Sequence, residues 1–469
     1  MAKSDFRTEK DSLGDVAVPA GAYWGAQTQR AVENYPISGL RAHPVLVRAH
    51  VMVKLAAARA NRDLKKLDKK TAEAIEKACQ EVLDGQLLDQ WVVDVFQAGA
   101  GTSFNMNTNE VLANRANEIL GQPLGTYKPV HPNDHVNRSQ STNDTFPTAM
   151  QVAAILLGAN LAETLEALAD ALAAKGHEFD GIIKSGRTHL QDAVPVRLGQ
   201  EFMAYSLAVH RGAERLEDAL DECRELPLGG SAAGTGFNTH PDYAAIAIGH
   251  LCDVAETELG PPQDLRYAMQ SMAPMGAASA ALRGIALELI RIANDLRLLA
   301  SGPRTGLAEI TLPAVQPGSS IMPGKVNPSM AECLNMVAMQ VVGCDATVAL
   351  AVQAGQLELN VMMPVIAHNV LFSMEILNRF LPVFAERCVC GITADADRCR
   401  RYFESSVGLA TLLNECIGYA KAAEVAKESV KTGKTLRELI LEKGLMSEAD
   451  LARALDPKRV TEPNDAQGA

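Results

Sequence analysis

The stretch from Ala331 to Val352 limits the possible folds most strongly, because it is apolar on every face of a helix. Its only charged residues are Glu332 and Asp345. A helix of this kind must lie inside a large protein body or at an interface between subunits. We therefore predict a helix over Ser329–Gln353 in the central bundle of a homo-oligomer.

Four other segments are also predicted to form long helices, because their apolar residues recur every three or four positions. They cover Gln151–Ala174, Val196–Leu226, a segment ending at Ser301, and Val361–Cys390. Within the third, one stripe is formed by Leu282, Ile285, Leu289, Ile292, Leu296 and Leu299. Hydrophobic residues make up 47% of the chain and aromatic residues only 4%, which favours close-packed helices over sheets. The predicted fold class is mostly α.

The 469 residues are enough for two to four domains, and the sequence predicts three. Residues 1–132 mix helices with loops and form an N-terminal mixed helical domain. Residues 133–392 form the central helical bundle domain. Residues 393–469 carry short charged helices and form a small C-terminal helical domain.

The charge pattern excludes several kinds of partner. A formal net charge of -12, with no clustered run of lysine and arginine, argues against nucleic-acid binding. The N-terminal sequence MAKSDFRTEKDSLGD carries charges where a signal peptide needs an apolar stretch. No uninterrupted apolar segment reaches membrane-spanning length. We therefore expect a cytoplasmic protein without a membrane partner.

The cysteines indicate neither disulfides nor a metal site. All nine are scattered between Cys79 and Cys416 in a chain without an export signal, which favours reduced thiols. The closest group, Cys388, Cys390 and Cys399, has no CxxC pair and no nearby histidine. We therefore predict no bound metal.

The sequence GSSIMPGKVNP, from Gly318 to Pro328, is the strongest candidate for a functional loop. Its glycines and prolines prevent regular helix or strand, and it gathers Ser319, Ser320, Lys325 and Asn327 with free backbone N–H groups. Such a loop suits a substrate that carries carboxylates. An ordinary surface turn is the alternative, since the same residue types are common in turns. The loop lacks the spacing of a nucleotide phosphate loop.

Three other stretches are rich in uncharged hydrogen-bonding side chains. They are GAGTSFNMNTNE from Gly99, NDHVNRSQSTND from Asn133 and SGRTHLQD from Ser185. Polar groups of this density are costly in a core unless they are paired, so we read the stretches as parts of a binding site. Helix capping is the alternative, but it accounts poorly for three clusters. The candidate residues are Thr102, Ser141, Thr142, Asn143, Thr188 and His189.

His189 and Glu332 are candidates only in combination. A lone histidine is more often a paired structural residue, and a lone glutamate near a helix start is often simply solvated. If the two side chains meet, the carboxylate would fix the tautomer of the imidazole and hold a tuned polar group beside the substrate.

These motifs resemble those of the fumarase and aspartase superfamily, whose members cleave C–N or C–O bonds to release fumarate. The resemblance begins at RTEKDSLGDVAVPAGAYWGAQTQRAVENYPISG and continues through the three polar stretches, GSSIMPGKVNP and the long helices. It implies three mostly helical domains, a homotetramer with a twenty-helix core, and active sites shared between subunits. It also implies a small dicarboxylate substrate and no cofactor.

Within the superfamily the motifs point in two directions. STND at Ser141–Asp144 and AGQLELNV at Ala354–Val361 resemble aspartate ammonia-lyases, as does VFQAGAGTSFNMNTNEVLAN. YWGAQTQR at Tyr23–Arg30 and PSMAEC after the loop resemble class II fumarate hydratases. The balance favours ammonia release from aspartate, with fumarate hydration as the alternative. A non-catalytic structural homologue is disfavoured because the candidate residues are all present.

The resemblance implies a role for each candidate residue. Ser319 is the base that removes a proton from the substrate. Four residues bind the β-carboxylate of the substrate, which becomes doubly negative when the proton is removed: Thr188, Ser320, Lys325 and Asn327. A third group holds the other carboxylate or the loop: Ser141, Thr142 and Arg30. The last group recognises the departing ammonium: Thr102, Asn143 and His189, with Glu332 behind the histidine.

Overall fold

Helix dominates the fold, as the sequence predicted. The computed structural model describes residues 5–463, and in this range it contains seventeen α-helices and three two-stranded antiparallel sheets. The first four residues, which contribute to the signal-peptide argument, lie outside the described range, as do residues 464–469.

The elements follow one another along the chain in this order. The N-terminal part contains β1 Phe6–Asp11, β2 Gly14–Pro19, α1 Ala26–Asn34, α2 Pro44–Asp63, α3 Lys69–Leu83 and α4 Thr102–Ile119. The middle contains α5 Thr142–Glu178, β3 Ile183–Thr188, β4 Gln191–Arg197, α6 Leu198–Asp221, α7 Tyr243–Ala255, α8 Leu265–Gln270, α9 Ala273–Leu299, β5 Ile310–Thr311, α10 Ser329–Gln353 and α11 Met363–Arg387. The end contains β6 Thr393–Ala394, α12 Ala396–Ser405, α13 Leu409–Ile417, α14 Tyr419–Thr432, α15 Leu436–Glu442, α16 Glu448–Ala454 and α17 Pro457–Thr461.

The described residues form two compact units. The first unit consists of residues 5–162, Glu214–Ala286 and Met339–Asn378. The second consists of Glu163–Ala213, Leu287–Ala338 and residues 379–463. The five longest helices, α5, α6, α9, α10 and α11, contribute residues to both units. The three-domain division remains a prediction.

The predicted long helices are confirmed, but three of them start at a different residue. Helix α11 begins at Met363 rather than Val361. Helix α10 has the predicted bounds, Ser329–Gln353. Helix α6 begins at Leu198 rather than Val196, because the preceding residues pair as β4 in a hairpin with β3. Helix α5 begins at Thr142 rather than Gln151 and contains Pro147. The start of α5 therefore includes the polar residues of the STND motif.

Helix α10 carries apolar residues on its exposed face as well as on its buried one. Leu334 and Val341 are buried, whereas Met336, Met339 and Leu350 are all more than half exposed in the single chain. Exposed apolar side chains of this size on one helix are typical of a surface that another protein copy covers. An interface of this helix with another copy remains a prediction.

Three helices, α5, α9 and α10, are long and apolar enough to cross a membrane by length and composition alone. The sequence expectation considered only uninterrupted apolar runs, whereas these helices reach the required length once one or two charged residues are tolerated. The expectation is corrected in that respect.

Candidate active site

Helix α4 begins at a tight turn that presents Thr102. Ala100 and Gly101 have φ angles of 61° and 82°, in the left-handed region. A Cβ atom at Gly101 would lie 2.2 Å from the ring of Phe146, so only glycine fits there. The Thr102 side chain is exposed, and its hydroxyl makes only a long contact of 3.4 Å with the Gly99 carbonyl oxygen. The hydroxyl therefore remains available to a ligand.

The polar residues at the start of α5 are held by neighbouring parts of the first unit. The Ser141 hydroxyl accepts a hydrogen bond from the Asn143 amide at 3.2 Å. The Thr142 hydroxyl accepts one from the Asn105 side chain at 2.9 Å. The Asn143 side chain donates to the Ala232 carbonyl oxygen at 2.9 Å. The hydrogen bond of Ser141 is thus a helix-capping contact, whereas the Thr142 and Asn143 side chains are held by other segments of the chain.

Asp144 connects the start of α5 to the segment around Gly229–Ser231. Its buried carboxylate accepts hydrogen bonds from the backbone amides of Ser141 at 2.9 Å, Gly229 at 3.2 Å and Ser231 at 3.0 Å. Burial raises the pKa of Asp144 to about 7, although these amides favour the charged form. The glycine-rich segment GGSAAGTG, residues 229–236, therefore supports the STND motif.

Lys54, on α2, is a second buried charge in the first unit. Its ammonium group donates to the side-chain oxygens of Asn105 at 2.7 Å, Asn137 at 2.9 Å and Gln140 at 3.0 Å. Burial lowers the pKa of Lys54 from its ordinary value of 10.5 to about 7, and the nearby charge of Asp144 opposes this shift. Because Asn105 also binds Thr142, Lys54 connects α2 to the two helix starts that carry Thr102 and Thr142.

Replacing Lys54 with methionine should remove a pH dependence of stability. Between a folded pKa of about 7 and the ordinary value of 10.5, the unfolded chain binds more protons than the folded one. The free energy of unfolding due to Lys54 therefore rises with pH, by about 1.4 kcal/mol per unit in that window. Lys54→Met should lose this rise.

The measurement is chemical denaturation of both proteins at several pH values between neutrality and the upper end of that window. The exposed Lys70 of the next helix provides the control, because Lys70→Met should follow the wild type throughout. If the free energy of unfolding changed with pH equally in the wild type and in Lys54→Met, the buried ammonium would have its ordinary pKa.

Arg30 lies on α1 and is already engaged. Its guanidinium donates two hydrogen bonds to Asp11, at 2.7 and 3.0 Å, and a third to the Gly14 carbonyl oxygen at 3.2 Å. The hydrogen bond from Arg30 holds the pKa of Asp11 below its ordinary value. In this chain Arg30 ties α1 to the β1–β2 hairpin, and a contact with a substrate carboxylate remains a prediction.

In the second unit, Thr188 and His189 lie at the tip of the β3–β4 hairpin. His189 and Leu190 form the two-residue turn, with φ angles of 54° and 58°. Both angles are in the left-handed region, as a type I′ turn requires, although neither residue is glycine. The Thr188 and His189 side chains are exposed, and Leu190 is 70% exposed. The hairpin therefore projects its two candidate residues outwards.

The loop around Ser319 is folded onto itself. The Ser319 hydroxyl oxygen accepts hydrogen bonds from the amides of Met322 at 2.9 Å and Ile321 at 3.3 Å. The Asn327 side chain donates to the Gly318 carbonyl oxygen at 2.6 Å and closes the loop. Two amides directed at one hydroxyl oxygen favour its deprotonated form. The role of Ser319 as the base remains a prediction.

The remaining residues of the loop are open to solvent. Ser320 and Lys325 are exposed, and Ile321 is 83% exposed. Glu332 is partly buried in the first turn of α10. Among residues 5–463 of one chain, no described hydrogen bond or ion pair joins Glu332 to His189. The proposed pairing of these two residues thus remains a prediction for an assembly of several copies.

Sequence reasoning did not single out Lys54 or Asp144. A signal for Asp144 was present, since Ser141 and Asp144 have the spacing of a capping box. Lys54 interrupts an otherwise apolar helical stretch, VMVKLAAA, but its partners lie more than fifty residues away in sequence. Only the folded chain reveals that pairing.

Residues 14–343 match the family described as Lyase, and residues 409–462 match Fumarase C C-terminus. The chain belongs to this lyase family.

The chain is similar to two kinds of relative along nearly its whole length. It is 47% identical to the aspartate ammonia-lyase of Bacillus subtilis (strain 168), over 99% of this chain and 98% of the relative. It is 52% identical to the class II fumarate hydratase of Halobacterium salinarum, over 97% of both chains. Among solved structures, the fumarate lyase:delta crystallin of Brucella melitensis bound to cobalt is 50% identical, with a TM-score of 0.95, over 98% of this chain and 100% of that one.

Proposed function

We propose that this protein is an aspartate ammonia-lyase, a carbon–nitrogen lyase that converts L-aspartate reversibly into fumarate and ammonia. The observation that carries the proposal is full-length similarity to several proteins of that name, from Bacillus, Pseudomonas and Helicobacter, at 46–47% identity. The candidate residues of the Ser319 loop, the hairpin and the two helix starts are all present. The enzyme acts as a soluble cytoplasmic protein.

The reaction begins with proton removal. Deprotonated Ser319 takes a proton from Cβ of aspartate, and the electron pair of the broken C–H bond moves into the adjacent carboxylate, which becomes an enediolate. The pair then forms the C=C bond while the Cα–N bond breaks. Because the amino group of aspartate is a protonated ammonium, it leaves as neutral ammonia and needs no proton from an acid.

Catalysis depends on donors that bind the doubly charged enediolate better than the substrate carboxylate. Thr188, Ser320, Lys325 and Asn327 supply them. Each donor of this kind contributes about 3 kcal/mol to the stability of the transition state. The ammonium is recognised by Thr102, Asn143 and His189, and neutral His189 accepts a hydrogen bond from it. Ser141, Thr142 and Arg30 hold the second carboxylate or the loop.

The active site is shared between subunits of a homotetramer with a twenty-helix core. The exposed apolar side chains of α10 support this assembly, and so does the loop, whose Ile321 and Met322 stand open in a single chain. An assembly would cover them and bring the loop, the hairpin and the helix starts to one substrate. It would also bring Glu332 to His189.

A class II fumarate hydratase is the second candidate, favoured by the 52% identity to the Halobacterium salinarum protein. It would use the same Ser319 and the same carboxylate donors, with water in place of ammonia near His189 and Glu332. A structural protein without activity is disfavoured, because it would have no need of the candidate residues, which are all present.

The ultraviolet absorbance of fumarate distinguishes these functions. Purified protein is incubated with L-aspartate or L-malate as the sole substrate at equal concentrations. We expect fumarate to form from L-aspartate at least 100-fold faster than from L-malate, since a site built for one polar group strongly rejects an analogue without it. Faster formation from L-malate would assign the protein as a hydratase, and no formation from either would exclude both.

A further inference from the structure

A cluster of four charged side chains lies behind the hairpin that carries Thr188 and His189, with Lys184 buried and Arg187 and Glu201 partly buried. The Glu309 carboxylate is fully buried. The Arg187 guanidinium donates to one of its oxygens at 2.9 Å. Lys184 Nζ lies 2.8 Å from the other, an ion-pair distance without hydrogen-bond alignment. Lys184 also donates to both oxygens of Glu201, at 3.0 and 2.9 Å.

An irregularity in β3 makes this cluster possible. Residues three apart on a regular strand point to opposite faces. The pairing of β3 with β4 shifts register between Ser185 and Arg187, so Lys184 and Arg187 both reach Glu309. A Cβ atom at Gly186 would lie 2.4 Å from the Val194 carbonyl oxygen, so the bulge requires glycine.

Arg187 connects the cluster directly to the hairpin tip. It immediately precedes Thr188, and its guanidinium also lies over the Tyr402 ring, 5.5 Å from the centroid. The turn that follows holds His189 and Leu190 at positive φ angles. Non-glycine residues in this region cost about 1 kcal/mol or more each and persist only where the surroundings enforce them.

The backbone of Glu309 connects the same cluster to the root of the Ser319 loop. Its amide donates to the Leu299 carbonyl oxygen, and its own carbonyl oxygen accepts from the Asp395 amide, both at 2.9 Å. The next two residues form β5, which pairs with β6. From Thr311 the chain continues into the segment that carries Ser319. One residue thus holds the hairpin through its side chain and the loop root through its backbone.

Stability alone is a poor reason to bury the charges of Lys184 and Glu309. Replacing a buried ion cluster with well-packed apolar residues is often neutral or stabilising by about 1–4 kcal/mol, because desolvation offsets the attraction. We propose that Glu309, with Lys184 and Arg187, is a positioning residue that sets the hairpin tip and the loop root relative to each other for the elimination. This inference rests on the proposed function, because it assigns the cluster to the placement of Thr188, His189 and Ser319.

Two variants test the proposal, Glu309→Gln and Arg187→Met. We expect kcat for fumarate formation to fall about 10- to 100-fold with KM changed less than threefold, because a misplacement of about 1 Å acts mainly on the transition state. Arg187→Lys, which keeps a charge for Glu309, should recover part of the loss. Backbone hydrogen–deuterium exchange of residues 188–191 should become faster in both Glu309→Gln and Arg187→Met, and this readout does not depend on activity.

Arg197→Met is the matched control. Arg197 belongs to the same hairpin and pairs with Asp180 at 2.9 Å, but at the end far from the turn. It should keep the kcat of the wild type. If Glu309→Gln does not fold, Arg187→Met alone decides, since its side chain is only partly buried. Unchanged kcat and unchanged exchange at the tip in a folded variant would overturn the inference, whereas an inactive wild type would refute the proposed function instead.

Discussion

Ser319→Ala should lower the rate of fumarate formation from L-aspartate by a factor of about 10³, the range for loss of a positioned general base. The reason is the geometry of the loop, in which the amides of Met322 and Ile321 both donate to the Ser319 hydroxyl oxygen. Alanine removes the oxygen that accepts the proton. It leaves in place the donors that bind the carboxylates.

Substrate binding provides the control for this variant. Fumarate should bind Ser319→Ala with an affinity within a few-fold of the wild type, measured by calorimetry, because the serine acts on the proton rather than on the carboxylates. Near-normal turnover by a correctly folded Ser319→Ala protein would mean that another group is the base. A loss of binding as large as the loss of rate would mean that the serine mainly holds the substrate.

Mixing two inactive variants should restore activity if the sites are shared between subunits. Ser319→Ala and Asn143→Ala are each expected to be nearly inactive. In mixed tetramers, a site can draw its loop from one kind of chain and its helix start from the other. With random mixing about a quarter of the sites then contain both intact residues. The measurement is fumarate formation after the two proteins are unfolded together and refolded.

A second mixture is the matched control. Ser319 and Lys325 belong to the same loop, so Ser319→Ala mixed with Lys325→Ala leaves every loop with one defect. This mixture should stay as inactive as its components. Equal behaviour of the two mixtures would show that each site is built from a single chain, and the shared-site proposal would fail.

The long helices are predictable from the sequence, whereas the hairpin is not. Helix α10 matches its predicted bounds because its apolar residues continue over the whole segment. The β3–β4 hairpin lacks the usual signals, since its turn is His189–Leu190 rather than Asn–Gly and its first strand contains the Gly186 bulge. The sequence therefore predicts Thr188 and His189 as site residues without predicting what holds them.

Buried charges mark a second limit of sequence reasoning. The hydroxyls and amides of the candidate site could be proposed from the sequence because they cluster in short motifs. Lys54 and Glu309 are isolated in the sequence, and their partners come from distant segments. Burial and pairing are properties of the folded chain, so the groups that support the candidate residues become visible only in three dimensions.

A structure of the assembled enzyme with bound fumarate is the most direct test of the account, and the decisive measurement is the distance from the Ser319 hydroxyl oxygen to the nearer alkene carbon. The account predicts about 3–3.5 Å, as for reacting atoms, with Thr102 and His189 of neighbouring copies in the same pocket. Fumarate bound away from Ser319, or the three residues in separate pockets of the assembly, would contradict it.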